Sequence, residues 1–250
     1  MTPLDQAPVI LVTGAARRIG AEIARILHAA GARVVIHHRS SGEAARTLGS
    51  ELNALRVGTA ALVQGDLADP AGPAIVAQAA LSAFSRIDGV VNNASSFFRT
   101  PLGSIDGAAW ETLAGSNLRG PLLLSQALAP ALRAGSGAIV NITDIHAERP
   151  LRGYPLYTAA KAGLMGLTRA LAVELAPEVR VNAVAPGAII WPDAGDDFPQ
   201  EEQDEILRLT PLKRIGSPAD IANTVKFLLF DAPFITGQVI NVDGGRTAQL

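Results

Sequence analysis

The chain has 250 residues, of which 48% are hydrophobic and 18% charged, with a formal net charge of -2 and no cysteine. This composition is typical of a soluble globular protein with a substantial core; it argues against nucleic-acid or membrane partners and excludes disulfides and thiolate metal sites. No metal-ligand spacing appears among the four histidines. No apolar run approaches the ~20 residues of a membrane span, and the first residues lack secretory features, so we expect a cytoplasmic protein.

Short apolar runs alternate with segments of helical periodicity along the chain. Strands are predicted over residues 9–12, 33–37, 60–63, 89–91, 138–142, 179–184 and 238–242, and helices over 21–30, 40–55, 70–84, 108–133 (one or two helices), 154–175 and 217–229. The alternation predicts an α/β fold with a parallel sheet covered by helices on both faces. No linker separates domains, so residues 1–250 are interpreted as one domain.

Residues 188–210 form the least regular segment, and they contain the acidic run from Glu201 to Glu205. Two interpretations stay open at this point. A late loop in an open α/β sheet can cover the active site, or the segment can be a solvated surface helix with a flexible approach.

A glycine-rich turn joins the first predicted strand to the first predicted helix. Thr13 and Gly14 open it, and Arg18 and Gly20 follow at spacings that let the backbone approach a pyrophosphate at a helix N-terminus. A glycine pattern is weak evidence by itself, but its position at the first strand-to-helix turn favours dinucleotide binding over a plain turn.

The end of the second predicted strand favours NADP(H) over NAD(H). NAD sites place an acidic residue there for the ribose 2′-hydroxyl, whereas this chain has His37, His38, Arg39, Ser40 and Ser41. Arg39 can pair with a 2′-phosphate, and the serines can donate hydrogen bonds to it.

Polar residues also follow the third and fourth predicted strands. Asp66 is placed to contact the adenine, and Asn92, Asn93 and Ser95 would line the cofactor groove. Either group can instead cap a turn or a helix.

Tyr157 and Lys161 lie four residues apart on a predicted helix and so project from one face. A lysine ammonium beside a phenol favours the phenolate, which predicts a lowered tyrosine pKa and a proton donor at neutral pH. The pair alone is weak evidence, because surface helices contain it by chance.

Taken in order, these residues resemble the short-chain dehydrogenase/reductase family. The resemblance runs from Val9 to Gly245 and includes the glycine turn, Asp66, Asn92 to Ala94, Asn117, Tyr157 with Lys161, Pro186 with Gly187, and residues 242–245. It implies a single Rossmann-type doubly wound domain and a homotetramer assembled through long helices.

The resemblance also implies the residues of the site. The catalytic group would be Asp144, Tyr157, Lys161 and Asn117, the last tying a water to the lysine unless it is an ordinary helix-bend asparagine. The NADP(H) site would comprise Gly14, Arg17, Arg18, Ile19, Gly20, His38, Arg39, Ser40, Ser41, Asp66, Leu67, Asn93, Ala94, Ser95, Thr143, Tyr157, Lys161, Pro186, Gly187, Ala188 and Ile189. The substrate would contact Arg18, Ser95, Phe97, Asp144 and Tyr157.

Four departures from the common family pattern resemble pteridine reductases, including dihydromonapterin reductase-like members. Arg18 replaces the middle glycine, Ser95 replaces the glycine after Asn-Asn-Ala, Phe97 follows it, and Asp144 stands where ketone reductases have a serine. The resemblance implies a pterin or folate as the small-molecule substrate.

These departures suit a pteridine ring. Phe97 can stack on a planar heterocycle, although a core aromatic is the alternative, and Arg18 can donate to the ring's acceptor atoms or be a helix-surface charge. A carboxylate at Asp144 would repel the oxygen of a ketone, whereas C=N reduction puts charge on a nitrogen that takes a proton. Asp144 can hold the Tyr157 phenol and take part in the proton relay, or it can merely cap a turn.

The sequence therefore predicts hydride transfer from NADPH to a pteridine C=N carbon, with Tyr157 as the proton donor. One alternative is a reductase of another carbonyl substrate, such as a 3-oxoacyl thioester, which Asp144 disfavours. A non-catalytic NADPH-binding sensor is a second alternative, which the intact Asn117, Tyr157 and Lys161 set disfavours.

Overall fold

The computed structural model describes residues 6–191 and 199–248. Its strands are β1 (Val9–Val12), β2 (Arg33–His38), β3 (Ala60–Gln64), β4 (Gly89–Asn92), β5 (Ala138–Ile142), β6 (Arg180–Pro186) and β7 (Val239–Val242). Its α-helices are α1 (Arg18–Ala29), α2 (Gly42–Leu55), α3 (Gly72–Phe84), α4 (Gly107–Ala114), α5 (Gly120–Ala134), α6 (Pro155–Glu174), α7 (Gln200–Leu209) and α8 (Pro218–Lys226).

All seven strands pair in parallel in the order β3-β2-β1-β4-β5-β6-β7. The strand order reverses between β1 and β4, which is where an open α/β sheet binds its ligand, beyond the carboxyl ends of the strands. The predicted fold class is confirmed: this is a Rossmann-type doubly wound sheet.

The two faces of the sheet carry separate cores, because successive side chains of a strand point to opposite faces. Ile10 and Val12 of β1 pack on the side that holds α1, α2 and α8. Val9 and Leu11 pack on the side that holds α3 and α5. Burial on both faces explains why the strands are apolar along their length.

The segment predicted as one or two helices over 108–133 is two α-helices joined by a π-helical turn, Gly115–Arg119. The wider turn carries Asn117, whose side-chain amide donates to the carbonyls of Leu113 (3.0 Å) and Ser96 (2.9 Å). A π-turn of this kind inside a helix frequently marks a functional position.

Helix α7 occupies part of the segment whose structure the sequence left open. None of its residues is buried, as the surface-helix interpretation expects, but Ile206 lines the ligand cleft, as the covering interpretation expects. Residues 192–198, on which the covering-loop interpretation also depends, lie outside the described part of the chain.

Candidate active site

A cleft of about 730 Å³ opens along the carboxyl ends of the strands. Every residue assigned to the NADP(H) site or to the substrate lines it, and so do Asp144, Tyr157 and Lys161 of the predicted catalytic group. Asn117 does not, since it is fully buried behind the wall. The expectation that Asn92 lines the cofactor groove is wrong, because its side chain is buried and donates to Asn141 Oδ1 at 2.8 Å.

The glycine turn is shaped for close approach by a ligand. Gly14 has φ +61°, in the left-handed region that favours glycine, and a Cβ on Gly20 would collide with the Gly14 carbonyl oxygen. The Asn93 side chain fastens the turn by donating to the carbonyls of Thr13 (2.8 Å) and Gly14 (3.2 Å). Arg17, the N-cap residue of α1, makes no side-chain cap bond, so it leaves the first N–H groups of the helix available to a pyrophosphate.

Arg18 adopts φ +54° at the start of α1. A side chain in this region costs roughly 1–2 kcal/mol, which explains why a glycine suits the position. The guanidinium donates from Nη2 to the Trp191 carbonyl (3.3 Å) across the cleft. Backbone strain of this kind concentrates at functional sites.

His37 supports the glycine turn from behind, a role that the sequence interpretation missed. Its Nδ1 accepts a hydrogen bond from Gly14 N (3.1 Å), and its Nε2 lies 3.1 Å from the Gly65 carbonyl oxygen. Burial lowers the His37 pKa to about 4, so the ring is neutral at neutral pH, with Nε2 as the donor. The sequence did carry a signal for this role, since His37 is a polar residue that follows the apolar run Val34–Ile36 of β2.

The end of β2 presents its polar groups to the cleft. Arg39 Nη1 lies 3.8 Å from Asp66 Oδ2, and both side chains are about half exposed. Asp66 also caps its own turn, because Oδ1 accepts from Ala68 N (2.9 Å); cleft lining and capping therefore coexist. Nδ1 of His38 is buried without a hydrogen-bond partner among the described residues, an unmet group that a nucleotide phosphate or hydroxyl would satisfy.

Asp144 and Tyr157 form a hydrogen-bonded pair at the centre of the cleft. The Tyr157 hydroxyl donates to Asp144 Oδ2 at 2.7 Å, while Asp144 Oδ1 accepts from His146 N at 2.7 Å. The cap weighed for Asp144 is present, and so is its contact with the phenol: one oxygen caps a 3₁₀ turn, and the other faces Tyr157. The cap fixes the carboxylate against Tyr157.

The pKa of Tyr157 lies well above 10, because the phenol is buried and faces the negative charge and hydrogen bond of Asp144. The prediction that Lys161 lowers this pKa is therefore wrong for this structure. Lys161 Nζ instead donates to the Ile142 carbonyl (2.8 Å) and lies 5.8 Å from the centre of the Tyr157 ring. Ser95 is the neighbour whose hydrogen bond lowers the phenol's pKa.

Lys161 is fully inside the protein, and burial lowers its pKa to about 8, partly offset by Asp144. The ammonium is charged at neutral pH.

Asn117 reaches the cleft through Ser95. The Ser95 hydroxyl donates to Asn117 Oδ1 at 2.7 Å, so the hydrogen bonds run from the π-turn to the wall of the site. This contact gives Ser95 a partner that the sequence did not indicate.

Phe97 packs against both tyrosines of the chain. Its ring stacks on Tyr154 with centroids 4.6 Å apart and meets Tyr157 edge-on at 4.8 Å. It remains 41% exposed, so it is a wall of the cleft and not a core aromatic.

The far wall of the cleft includes Trp191, Ile206 and Arg246, none of which the sequence interpretation assigned. Among the residues that the structure describes, no group of three or more His, Asp or Glu side chains is placed to hold a metal ion. In the same part of the chain, no helix is long and apolar enough to cross a membrane.

A family model described as Enoyl-(Acyl carrier protein) reductase matches residues 14–247. Among curated proteins, the chain is 39% identical to Pteridine reductase 1 of Leishmania tarentolae, with 98% of each chain covered. It is 40% identical to a 3-oxoacyl-[acyl-carrier-protein] reductase of Synechocystis, again over 98% of each chain. It is 38% identical to a Staphylococcus aureus 3-oxoacyl-[acyl-carrier-protein] reductase, over 94% of this chain and 96% of the relative.

Proposed function

Because the chain belongs to the short-chain dehydrogenase/reductase family of oxidoreductases, which use a nicotinamide cofactor, we propose that it reduces a C=N bond of a pteridine with NADPH. The observation that carries the proposal is the 2.7 Å hydrogen bond from the Tyr157 phenol to Asp144. A carboxylate in this place suits a substrate whose reacting atom is a nitrogen that gains a proton. It would repel a carbonyl oxygen that gains negative charge.

NADPH, when bound, supplies the hydride. The residues present fit this cofactor: the tight glycine turn, the start of α1 without an N-cap side-chain bond, and the Nδ1 of His38, unpartnered among the described residues, are all on the nucleotide side of the cleft. Arg39 supports the choice of NADPH over NADH. Its exposed ion pair with Asp66 at 3.8 Å is worth no more than about 1 kcal/mol, so a 2′-phosphate can replace it.

Tyr157 donates the proton to the ring nitrogen. Its high pKa keeps the phenol protonated. The O–H donates to Asp144 in this structure and turns from that carboxylate to the ring nitrogen for the transfer. The Ser95 hydroxyl stabilises the phenolate that remains after transfer by turning its single O–H from Asn117 Oδ1 to the phenolate oxygen. Lys161 is charged and held by the Ile142 carbonyl, so its remaining N–H groups can hold the ribose of the nicotinamide half. The hydride goes to carbon and the proton to nitrogen, which completes the reduction.

Phe97 and Arg18 would position the ring. The exposed part of Phe97 offers a flat apolar surface beside Tyr157. The guanidinium of Arg18 offers donors only, and the left-handed conformation it tolerates supports a functional reason for this side chain at this position.

We also propose that the chain forms a homotetramer. Trp110 of α4 is 54% exposed and Leu122 of α5 is 38% exposed, so these helices offer apolar surface for contact between copies. Light scattering coupled to size exclusion gives the mass directly, and a monomer would contradict this assembly.

A second candidate is reduction of a 3-oxoacyl thioester, which the names of two of the similar proteins favour. The Asp144 carboxylate disfavours it, since that reaction builds negative charge on oxygen beside the phenol.

The test is NADPH consumption with a panel of oxidised and dihydro-pterins, folates and an acetoacetyl thioester. We expect turnover with members of the pterin and folate group, a slower rate with NADH, and none with the thioester. Turnover of the thioester alone would establish the second candidate. Binding of NADPH with no turnover of any substrate would contradict both.

A further inference from the structure

Arg246 is a cationic residue of the cleft that the proposed reaction does not use. It follows β7 at the edge of the sheet and lines the same cleft as Asp144 and Tyr157. Its Nη1 lies 3.5 Å from the Ile206 carbonyl oxygen of α7. The next residue, Thr247, accepts at its carbonyl from Arg149 Nη2 (3.4 Å), so the segment is tied to the turn that follows Asp144.

The sheet order places Arg246 away from the nucleotide phosphates. Four strand spacings separate β1, whose turn faces the pyrophosphate, from β7, which is roughly 19 Å at about 4.8 Å each. Only two spacings, roughly 10 Å, separate β7 from β5, and Asp144 follows β5. Arg246 therefore lies beyond the catalytic pair, on the side opposite the adenosine end of the cofactor site.

The guanidinium has donors to spare. It carries five N–H groups, and across residues 6–191 and 199–248 its one side-chain hydrogen bond is the long contact with Ile206. Glu205 and Asp243 are the acids whose negative charge acts on Arg246, but both carboxylates are hydrogen-bonded to other groups. Glu205 makes two 2.6 Å bonds with Arg208.

Asp243 accepts from Gly245 N and from the N and Oγ1 of Thr247, at 2.6–2.9 Å. Burial lowers the pKa of Arg246, as expected for a cation that lacks a matched anion. The group stays charged, because arginine does not lose its proton in proteins.

The charged side chains that line the cleft favour anionic ligands. Among its described lining residues are five lysine or arginine side chains and two carboxylates. Arg17 and Arg39 lie toward the cofactor phosphates, Arg18 is assigned to the pteridine ring, and Lys161 lies in the catalytic group. Arg246 is the cation left for a substrate tail beyond the ring, with Trp191 and Ile206 as apolar neighbours in the same wall.

We propose that Arg246 binds an anionic group, a carboxylate or a phosphate, at the end of the substrate's side chain. The ring would lie against Phe97 and the Asp144–Tyr157 pair, an apolar linker would cross Trp191 and Ile206, and the anion would meet the guanidinium, which binds carboxylate and phosphate through paired N–H groups. This inference rests on the proposed function and names the substrate class within it: pteridines with an anionic tail.

The experiment compares kcat/KM for three substrates in the full-length enzyme. Dihydrofolate carries a carboxylate tail, dihydroneopterin phosphate carries a phosphate tail, and dihydrobiopterin has no charge on its tail. We expect the wild type to have a higher kcat/KM with at least one anionic substrate than with dihydrobiopterin. The preferred anionic substrate then tells whether the site takes a carboxylate or a phosphate. Arg246→Ala should lower the anionic-to-neutral ratio of kcat/KM by about 10- to 100-fold, the range of a lost charge-assisted hydrogen bond, mainly through KM. Arg246→Lys should restore part of the ratio.

Arg149→Ala is the matched control, because Arg149 contacts the same terminal segment but does not line the cleft. It should leave the ratio at the wild-type value. If Arg246→Ala changes both classes of substrate equally, or Arg149→Ala matches it, the inference is overturned.

A binding measurement separates this inference from the proposed function. Calorimetry with p-aminobenzoylglutamate, which is an anionic tail without a pteridine ring, should show binding to the NADPH-loaded wild type and loss in Arg246→Ala. If no pterin is reduced but this binding survives, the proposed function fails and the anion site stands. Equal binding to both proteins would overturn the anion site.

Discussion

The catalytic and nucleotide ends of the cleft are built by different means. At the catalytic end, the Tyr157 hydroxyl donates to Asp144 at 2.7 Å, and Asp144 raises the pKa values of both Tyr157 and Lys161. At the nucleotide end, the backbone of the glycine turn makes the contact surface, and Arg39 is largely exposed. We expect substitutions at the first end to change the chemistry and those at the second to change affinity and specificity.

Asp144→Asn should have the largest effect. The amide can cap the turn or accept from the phenol with its single oxygen, but its NH₂ group cannot accept a hydrogen bond. We expect kcat to fall by about 10²- to 10⁴-fold, the usual contribution of a positioned acid, while the Kd for NADPH stays within the same order. The Tyr157 pKa should fall, because Asp144 raises it, and absorbance titration can follow it since the chain has only two tyrosines.

Asp106→Asn is the control for the cap. Asp106 caps α4 by accepting from Ala109 N at 2.7 Å, and it does not line the cleft. Comparable losses of kcat in both variants would mean that Asp144 acts only as a cap.

Arg39→Ala tests the nucleotide end. Removing a charge-assisted contact to the 2′-phosphate should raise the KM for NADPH by about 10- to 100-fold and leave kcat and the KM for NADH near their wild-type values. Arg46→Ala removes a charge from the neighbouring helix α2 outside the cleft and should change neither. Equal losses with both cofactors would show that Arg39 does not read the phosphate.

The pH profile should report Lys161. Its pKa is lowered to about 8 by burial, so the ammonium is present below that pH and lost above it. We expect log kcat/KM to fall with unit slope above pH ~8, about tenfold per pH unit. The Tyr157 pKa lies above 10, so the phenol does not account for this limb. In Lys161→Arg the limb should move above pH 10, at a lower rate; an unmoved limb would assign it to another group.

His37→Gln should have the smallest effect on turnover and a measurable one on acid stability. The folded pKa is about 4 against 6.5 for a free imidazole, so the unfolded chain binds the extra proton first. This stability is present above pH 6.5 and is lost as the pH falls toward 4, by roughly 3 kcal/mol. Urea unfolding at both ends of this range should show a smaller pH dependence in the variant. An identical dependence in both proteins would contradict the assignment.

Much of the fold could be predicted from the sequence, since the strands follow from apolar runs that double burial requires. The family resemblance, which places a serine position 13 residues before Tyr157, brought Asp144 and Tyr157 into one hypothesis, and their side-chain oxygens lie 2.7 Å apart. The sign of the tyrosine's pKa shift could not be obtained that way, because it depends on burial and on how far Lys161 Nζ lies from the phenol. His37 and Arg246 escaped notice for a similar reason: their partners are 23 to 40 residues away in sequence.

The most direct test of the central claim is the substrate preference of the wild type and of Asp144→Ser, measured as kcat/KM with a dihydropterin and with an acetoacetyl thioester. The account predicts that the wild type has the higher kcat/KM with the dihydropterin. In the serine variant, the dihydropterin-to-thioester ratio of kcat/KM should fall by at least about 100-fold, and kcat/KM with the thioester should rise. A wild type that favours the thioester, or a serine variant that keeps its rate on the dihydropterin, would contradict the role given to Asp144.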